Sequence, residues 1–167
     1  GIISDTVILK SPTTTPQDLR AVTKLAKIAQ IDNVYEFGEE LFCVASLLNK
    51  ADPKQVIEGD FKTYQTGEVR FGIGQVEVTT LTKVDEVKEK YILQLEATKQ
   101  KYGLDWAMLL VTDVIAESSI LLSTNYPQKE RALIYPLDSP GKYRLKGVLS
   151  RKKQLLPEVL SVLEEGG

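Results

Sequence analysis

Three consecutive cations, Arg151-Lys152-Lys153, stand between Gly147-Val148-Leu149-Ser150 and the apolar run Leu155-Leu156-Pro157-Glu158-Val159-Leu160. An extended segment passing into a helix here predicts Ser150 as the N-cap, followed by a first turn whose backbone N–H groups lack intrahelical partners. Such a place suits a phosphoryl group. Arginine can grip it with two parallel hydrogen bonds, and lysine adds a point charge. The commoner meaning of a basic trio is a solvated first turn. Cations at a helix N-terminus, however, oppose the macrodipole at roughly 0.3–1 kcal/mol each, a conflict that a bound anion removes. Other candidates are less directed. Asp5 lies among apolar neighbours and by composition is a cap or surface carboxylate as readily as a ligand. Asp113 follows an apolar run and reads first as a strand-end turn former. Cys43 would need a neighbouring histidine to act as a nucleophile, and the chain has none, which favours a buried core thiol.

The elements that must carry these residues follow from periodicity. Residues 1–10 read as the end of a helix. Thr15-Pro16-Gln17-Asp18 is a helix start, with Leu19, Val22, Leu25, Ala26 and Ala29 on the apolar face, and Asp32-Asn33 caps a helix over 34–48. A polar stretch, Asn49 to Pro53, is the best joint between domains and opens a short helix near 53–58. Phe61–Gln65 and Glu68–Val78 around Thr66-Gly67 predict a β-hairpin. Gly72 and Gly74 inside its second arm read as positions of close packing rather than a dinucleotide loop, because the third glycine is missing. Residues 82–102 form the longest helix, with Val84, Val87, Tyr91, Leu95 and Thr98 inward, ended by Gly103. Trp106–Thr112 is a central strand and Ser119–Thr124 its partner. A short helix over 127–134, a loop at Asp138–Gly141 and an edge strand at Tyr143–Leu145 complete the pattern. The fold class is α/β, a mixed sheet of about five strands with helices on its faces, preceded by a helical segment.

Composition sets the bounds. With 43% hydrophobic and 26% charged residues the chain is neither disordered nor membranous, and a net charge of −2 argues against a general nucleic-acid binder. No apolar run approaches the roughly 20 residues of a membrane span. The single cysteine excludes an internal disulfide and fits a reducing cytoplasm.

Ser150-Arg151-Lys152-Lys153-Gln154 before a hydrophobic helix resembles the C-terminal signature of the manganese-dependent, second-family inorganic pyrophosphatases of the DHH phosphoesterase superfamily. Ile2 to Pro16 is similar to that family's segment bearing a metal-binding aspartate. Asp60-Phe61-Lys62 and Gly72-Ile73-Gly74-Gln75-Val76-Glu77 are third and fourth matches, in the family's order. The resemblance implies that residues 1–48 are the tail of the DHH metal-binding domain and 49–167 the DHH-associated, substrate-binding C-terminal domain. It makes Asp5 a ligand of Mn²⁺, with Co²⁺ or Mg²⁺ as alternatives, since a carboxylate is the hard oxygen donor such ions prefer. It makes Lys62, Arg151 and Lys152 a cationic clamp on pyrophosphate. The remaining metal ligands would lie in an absent N-terminal catalytic domain, through which the protein would also form a homodimer. The chain then reads as a C-terminal part, inactive alone. The competing expectations are an exopolyphosphatase or other phosphoesterase of the superfamily, and a non-catalytic anion-binding or oligomerisation module.

Overall fold

Helices begin where the chain supplies acceptors for their first free amides. In the computed structural model, which describes residues 2–5, 9, 14–38, 48–125 and 133–164, α1 (Ile2–Asp5) precedes α2 (Pro16–Ile28). Thr15 caps α2 by accepting from Asp18 N at 3.3 Å, and the Asp18 carboxylate accepts from Thr15 N at 2.8 Å. This reciprocal box, with Pro16 in the first turn, is what Thr-Pro-Gln-Asp predicts. Asn33 Oδ1 likewise accepts from Tyr35 N and Glu36 N at the start of α3, residues 34–38. These helices belong to a first unit, Gly1–Leu47. Val22 and Ala26 are buried there, whereas Leu19 and Leu25, expected on the same face, are 45% and 54% exposed. Cys43 and residues 39–47 of the helix expected over 34–48 lie outside the described residues, and Leu48, expected to end it, is in a turn.

The second unit, Leu48–Gly167, is built on one six-stranded sheet. After α4 (Pro53–Gly59), capped by Asp52, the hairpin β1 (Phe61–Thr66) and β2 (Val69–Val78) turns at Gly67, whose φ is +56°. α5 (Val84–Tyr102) then crosses over to lay β3 (Trp106–Asp113) parallel to β2, and Gly103 in the left-handed conformation ends it. β4 (Ser118–Ser123), β5 (Leu137–Ser139) and β6 (Lys142–Lys146) complete the order β1-β2-β3-β4-β6-β5. The sheet has one strand more than expected. Asp138, assigned to a loop, sits in the short edge strand β5, so β6 is interior rather than the edge. Leu137-Asp138-Ser139 has no apolar alternation; its strand character comes from pairing with β6 at Tyr143 and Lys142. The helix expected over 127–134 falls largely outside the described residues, and Leu133 and Ile134 are not helical.

β3 is buried along its whole length because it feeds two cores. Trp106, Met108 and Leu110 meet Phe71, Ile73, Leu121 and Leu145 under α6 (Leu156–Glu164), while Ala107, Leu109 and Val111 meet Val84, Val87, Tyr91 and Leu95 of α5. Each leucine so enclosed contributes about 1.5–3 kcal/mol. All five α5 residues expected inward are buried. Tyr91 donates to the Leu48 carbonyl at 3.1 Å, and burial pushes its phenol up to about 12. A Cβ on Gly72 would stand 2.2 Å from Phe61 Cζ and 2.9 Å from Leu104 Cδ1, and one on Gly74 3.1 Å from the Ile57 carbonyl oxygen. Close packing, not a nucleotide loop, accounts for both.

At the β5–β6 side, Lys142 is a buried ammonium, its side chain 3% exposed, paired with Asp85 and with Asp138 at 2.6 Å. Asp138 also accepts from Arg144 Nε at 2.7 Å. The hydrogen bonds from Arg144 and then Lys142 hold its carboxyl down to about 2.

Candidate anion-binding site

The outer strand β1 sets the geometry. Lys62 stands opposite Ile73 in the antiparallel ladder, and directly opposed residues share a face. Ile73 belongs to the core beneath α6, so Lys62 lies on the sheet face that the terminal helix covers. Lys62 is exposed and makes no ion pair among the described residues.

The terminal helix begins with a wide turn, Arg151–Leu155, of π geometry: Leu155 N reaches back five residues to the Ser150 carbonyl at 3.2 Å, and Leu156 N to that of Arg151. Ser150 is the N-cap expected, its hydroxyl accepting from Lys153 N at 3.2 Å. The reciprocal partner is Gln154. Its Oε1 accepts from Leu149 N at 2.8 Å and Ser150 N at 3.0 Å, while Nε2 donates to the Gly147 carbonyl at 2.8 Å. An ordinary capping box places that residue third in the helix; the extra residue in the wide turn moves it to fourth.

Beneath this turn, three neighbouring strands offer polar groups on one face. Gln75 of β2 donates from Nε2 to the Leu149 carbonyl at 3.0 Å and accepts on Oε1 from Arg151 N at 3.3 Å. Ser119 of β4 donates to the Val148 carbonyl at 2.5 Å and lies 3.1 Å from Thr112 Oγ1 of β3. Thr112 and Ser119 are each 1% exposed, so the segment before the cations rests on an interior polar row with its carbonyls satisfied.

Arg151 points inward. At 6% exposure it donates from Nη1 to the carbonyls of Asp60, at 2.6 Å, and Ile73, at 3.1 Å, and from Nη2 to Asp60 Oδ1 at 2.9 Å. A buried guanidinium must be paired and hydrogen-bonded to be tolerated. Here Asp60, just before β1, and the carbonyl of Ile73 in the middle of β2 provide that. Lys152 is exposed and has no ion-pair partner among the described residues.

The fold therefore brings Lys62 and Arg151-Lys152 to one corner of the second unit, where the start of β1, the middle of β2 and the head of the terminal helix meet. Asp5 closes α1 in the first unit, and its side chain lies outside what the structure describes. Asp113 is a turn former, accepting from Ile115 N and Ala116 N at 2.9 and 2.8 Å. Sequence reasoning gave no role to Asp60 or Gln75, although both lie in stretches it singled out. The missed signal was the arginine itself: a cation that turns inward needs a carboxylate, and Asp60 stands two residues before Lys62. Among the described residues no group of three or more His, Cys, Asp or Glu side chains could hold a metal ion, and no helix is long and apolar enough to cross a membrane.

A mixed six-stranded sheet with a basic, polar-supported helix start at its corner defines the second unit as an α/β domain. The chain belongs to the DHHA2 domain family, whose model matches residues 39–162. It is 40% identical over 158 residues to the manganese-dependent inorganic pyrophosphatase of Methanocaldococcus jannaschii, covering 94% of this chain and 51% of the relative. It is 34% identical to the enzyme of the same description from Methanothrix thermoacetophila, covering 99% and 54%. Against the cobalt-dependent inorganic pyrophosphatase of Clostridium perfringens it is 36% identical, covering 98% of this chain and 30% of the relative. A crystal structure from Methanococcus jannaschii, described as a family II inorganic pyrophosphatase, superposes with a TM-score of 0.67 at 37% identity, covering 98% of this chain and 53% of that one. The chain thus spans about half the length of most of these relatives.

Proposed function

We propose that this chain is the C-terminal, substrate-gripping part of a metal-dependent inorganic pyrophosphatase that hydrolyses pyrophosphate to two phosphates. The observation that carries the reading is the convergence of Lys62, Arg151 and Lys152 at one corner, two of them with ammonium groups unpaired among the described residues. Pyrophosphate bears three to four negative charges, and in-line attack at one phosphorus needs cations on both the electrophilic and the leaving group. Arg151 supplies a bidentate grip and Lys62 and Lys152 mobile point charges. Residues 1–48 are the tail of the metal-binding domain in this reading, with Asp5 one carboxylate ligand. In the same reading manganese, or cobalt or magnesium, would be held mainly by an N-terminal domain, and would supply charge neutralisation and an activated water. Homodimerisation through that domain, a cytoplasmic setting and inactivity of the 167-residue chain alone belong to the same proposal.

The test is phosphate release by the chain joined to its N-terminal domain, with pyrophosphate, long-chain polyphosphate and a cyclic dinucleotide as substrates and Mn²⁺ present. Pyrophosphate is expected to turn over fastest. Lys62→Ala and Lys152→Ala should each raise KM or lower kcat by roughly tenfold or more, the loss expected for one charge-assisted contact, with little effect on stability. Preference for polyphosphate or the dinucleotide, or unaltered kinetics in both variants, overturns the reading.

A further inference from the structure

A guanidinium carries five N–H donors in a fixed plane, and which of them the protein uses determines which remain for a ligand. Arg151 spends three. Nη1 donates to the carbonyls of Asp60 and Ile73, and Nη2 to Asp60 Oδ1. Asp60 therefore takes the end-on edge of the fork with two acceptors of one residue, and Ile73 the outer hydrogen of Nη1. The two donors left are Nε–H and the second hydrogen of Nη2. These are parallel and form the side-on fork that binds a phosphoryl or carboxylate group bidentately. No acceptor among the described residues meets Nε, and it is not among the buried unsatisfied side-chain atoms, so it keeps contact with solvent although the residue is 6% exposed.

A carboxylate beside an anion site is costly, since it repels the ligand as well as attracting the arginine. Its presence calls for a compensating role. Resting on the proposed grip of Arg151 on pyrophosphate, the geometry points to Asp60 as a positioning residue: it holds the end-on edge of the Arg151 guanidinium so that the side-on fork, and no other, faces the bound anion. Asp60 is well placed for this. It follows α4 as its C-cap, its carbonyl also accepts from Gln75 N at 3.1 Å, and its side chain is 53% exposed, so it acts as a backbone-anchored rest for the arginine at the rim of the site. Gln75 fixes the same arginine from the other end through its amide. The guanidinium is thus located at head and stem before any ligand arrives, and no ordering of the side chain is left to oppose binding.

The probe is inorganic pyrophosphate, titrated into the isotope-labelled 167-residue chain while the Arg151 Nε–H and Nη signals are followed by NMR. In the wild-type chain Nε–H should shift with pyrophosphate, and the Nη protons held by Asp60 and Ile73 should stay resolved. Asp60→Ala, which removes the side-chain acceptor, should weaken binding by roughly tenfold or more. Asp60→Asn, which keeps an acceptor oxygen and removes the repelling charge, should bind within about threefold of wild type or more tightly. Wild-type affinity in Asp60→Ala, or a loss in Asp60→Asn as large as in Asp60→Ala, overturns the positioning role while leaving the grip intact. Averaging of the wild-type Nη signals on binding also overturns it, because the anion would then strip the guanidinium from Asp60, and this measurement stands even if Asp60→Ala fails to fold. Absence of any Arg151 Nε–H shift in the wild-type chain sinks both the grip and its positioning.

Discussion

Replacing Arg151 by lysine keeps the charge and removes the fork. Lysine ends one bond short of the Nη atoms, so a single ammonium at the same stem replaces contacts of 2.6, 3.1 and 2.9 Å and can keep at most one at full strength. Hydrogen bonds from a charged donor are worth about 1.5–3 kcal/mol each. The pair with Asp60 is half exposed on the carboxylate side, which discounts it to about 0.2–1 kcal/mol. The Asp60 carbonyl retains Gln75 N as a donor, so the main loss falls on the Ile73 carbonyl. The sum is a destabilisation of about 2–4 kcal/mol. Trp106, the single tryptophan and 3% exposed, reports unfolding of the second unit alone. Urea titration followed by its fluorescence should show the midpoint falling by about 1–2 M with unchanged slope, for a slope near 2 kcal/mol/M. A midpoint shift under about 0.3 M would refute the reasoning, because the buried fork would then be no better than a point charge.

Two further outcomes follow from features outside the site. Asp138 has a folded pKa of about 2, below its ordinary 3.8, so its contribution to stability is full above about pH 4 and is lost as pH falls through about 2; the urea midpoint of the wild-type chain should fall over that window, and Asp138→Asn should flatten the fall, with an unchanged slope against pH counting against the Lys142–Asp138–Arg144 network. Gly72→Ala would drive a methyl to 2.2 Å from the Phe61 ring, and should cost about 1–3 kcal/mol by the same fluorescence assay; a neutral substitution would mean that Phe61 swings aside without cost.

Much of the second unit was legible because its elements are locally consistent. The inward positions of α5 and the continuous apolar run of β3 each obey a single period, and burial followed it in both. β5 was not legible, because a three-residue edge strand with an Asp at its centre has no period and exists only by pairing. The helix start at Ser150 was readable from its cap. The direction of Arg151 was not: helix-terminal cations read as solvated, and the acceptors that turn this one inward sit 91 and 78 residues earlier in the chain. The wide turn was hidden for the same reason, since nothing local to Arg151–Leu155 distinguishes it from an α-helical turn; the hydrogen bond from Arg151 N to Gln75, 76 residues away, belongs to the tertiary structure.

Those separations also fix when the site can come into being. Arg151 closes onto Asp60 and Gln75, so the first hairpin of the second unit must wait for the last helix, and the ordering cost of joining them is met only after the intervening strands have drawn the ends together. During synthesis the sheet can begin to assemble from its N-terminal side while Lys62 stands beside an empty corner. A polypeptide that stops short of Arg151 contains every strand of the sheet and, of the three proposed clamp cations, only Lys62. The proposed anion binding would therefore require the terminal helix in place, and its appearance would mark the moment at which the unit has closed.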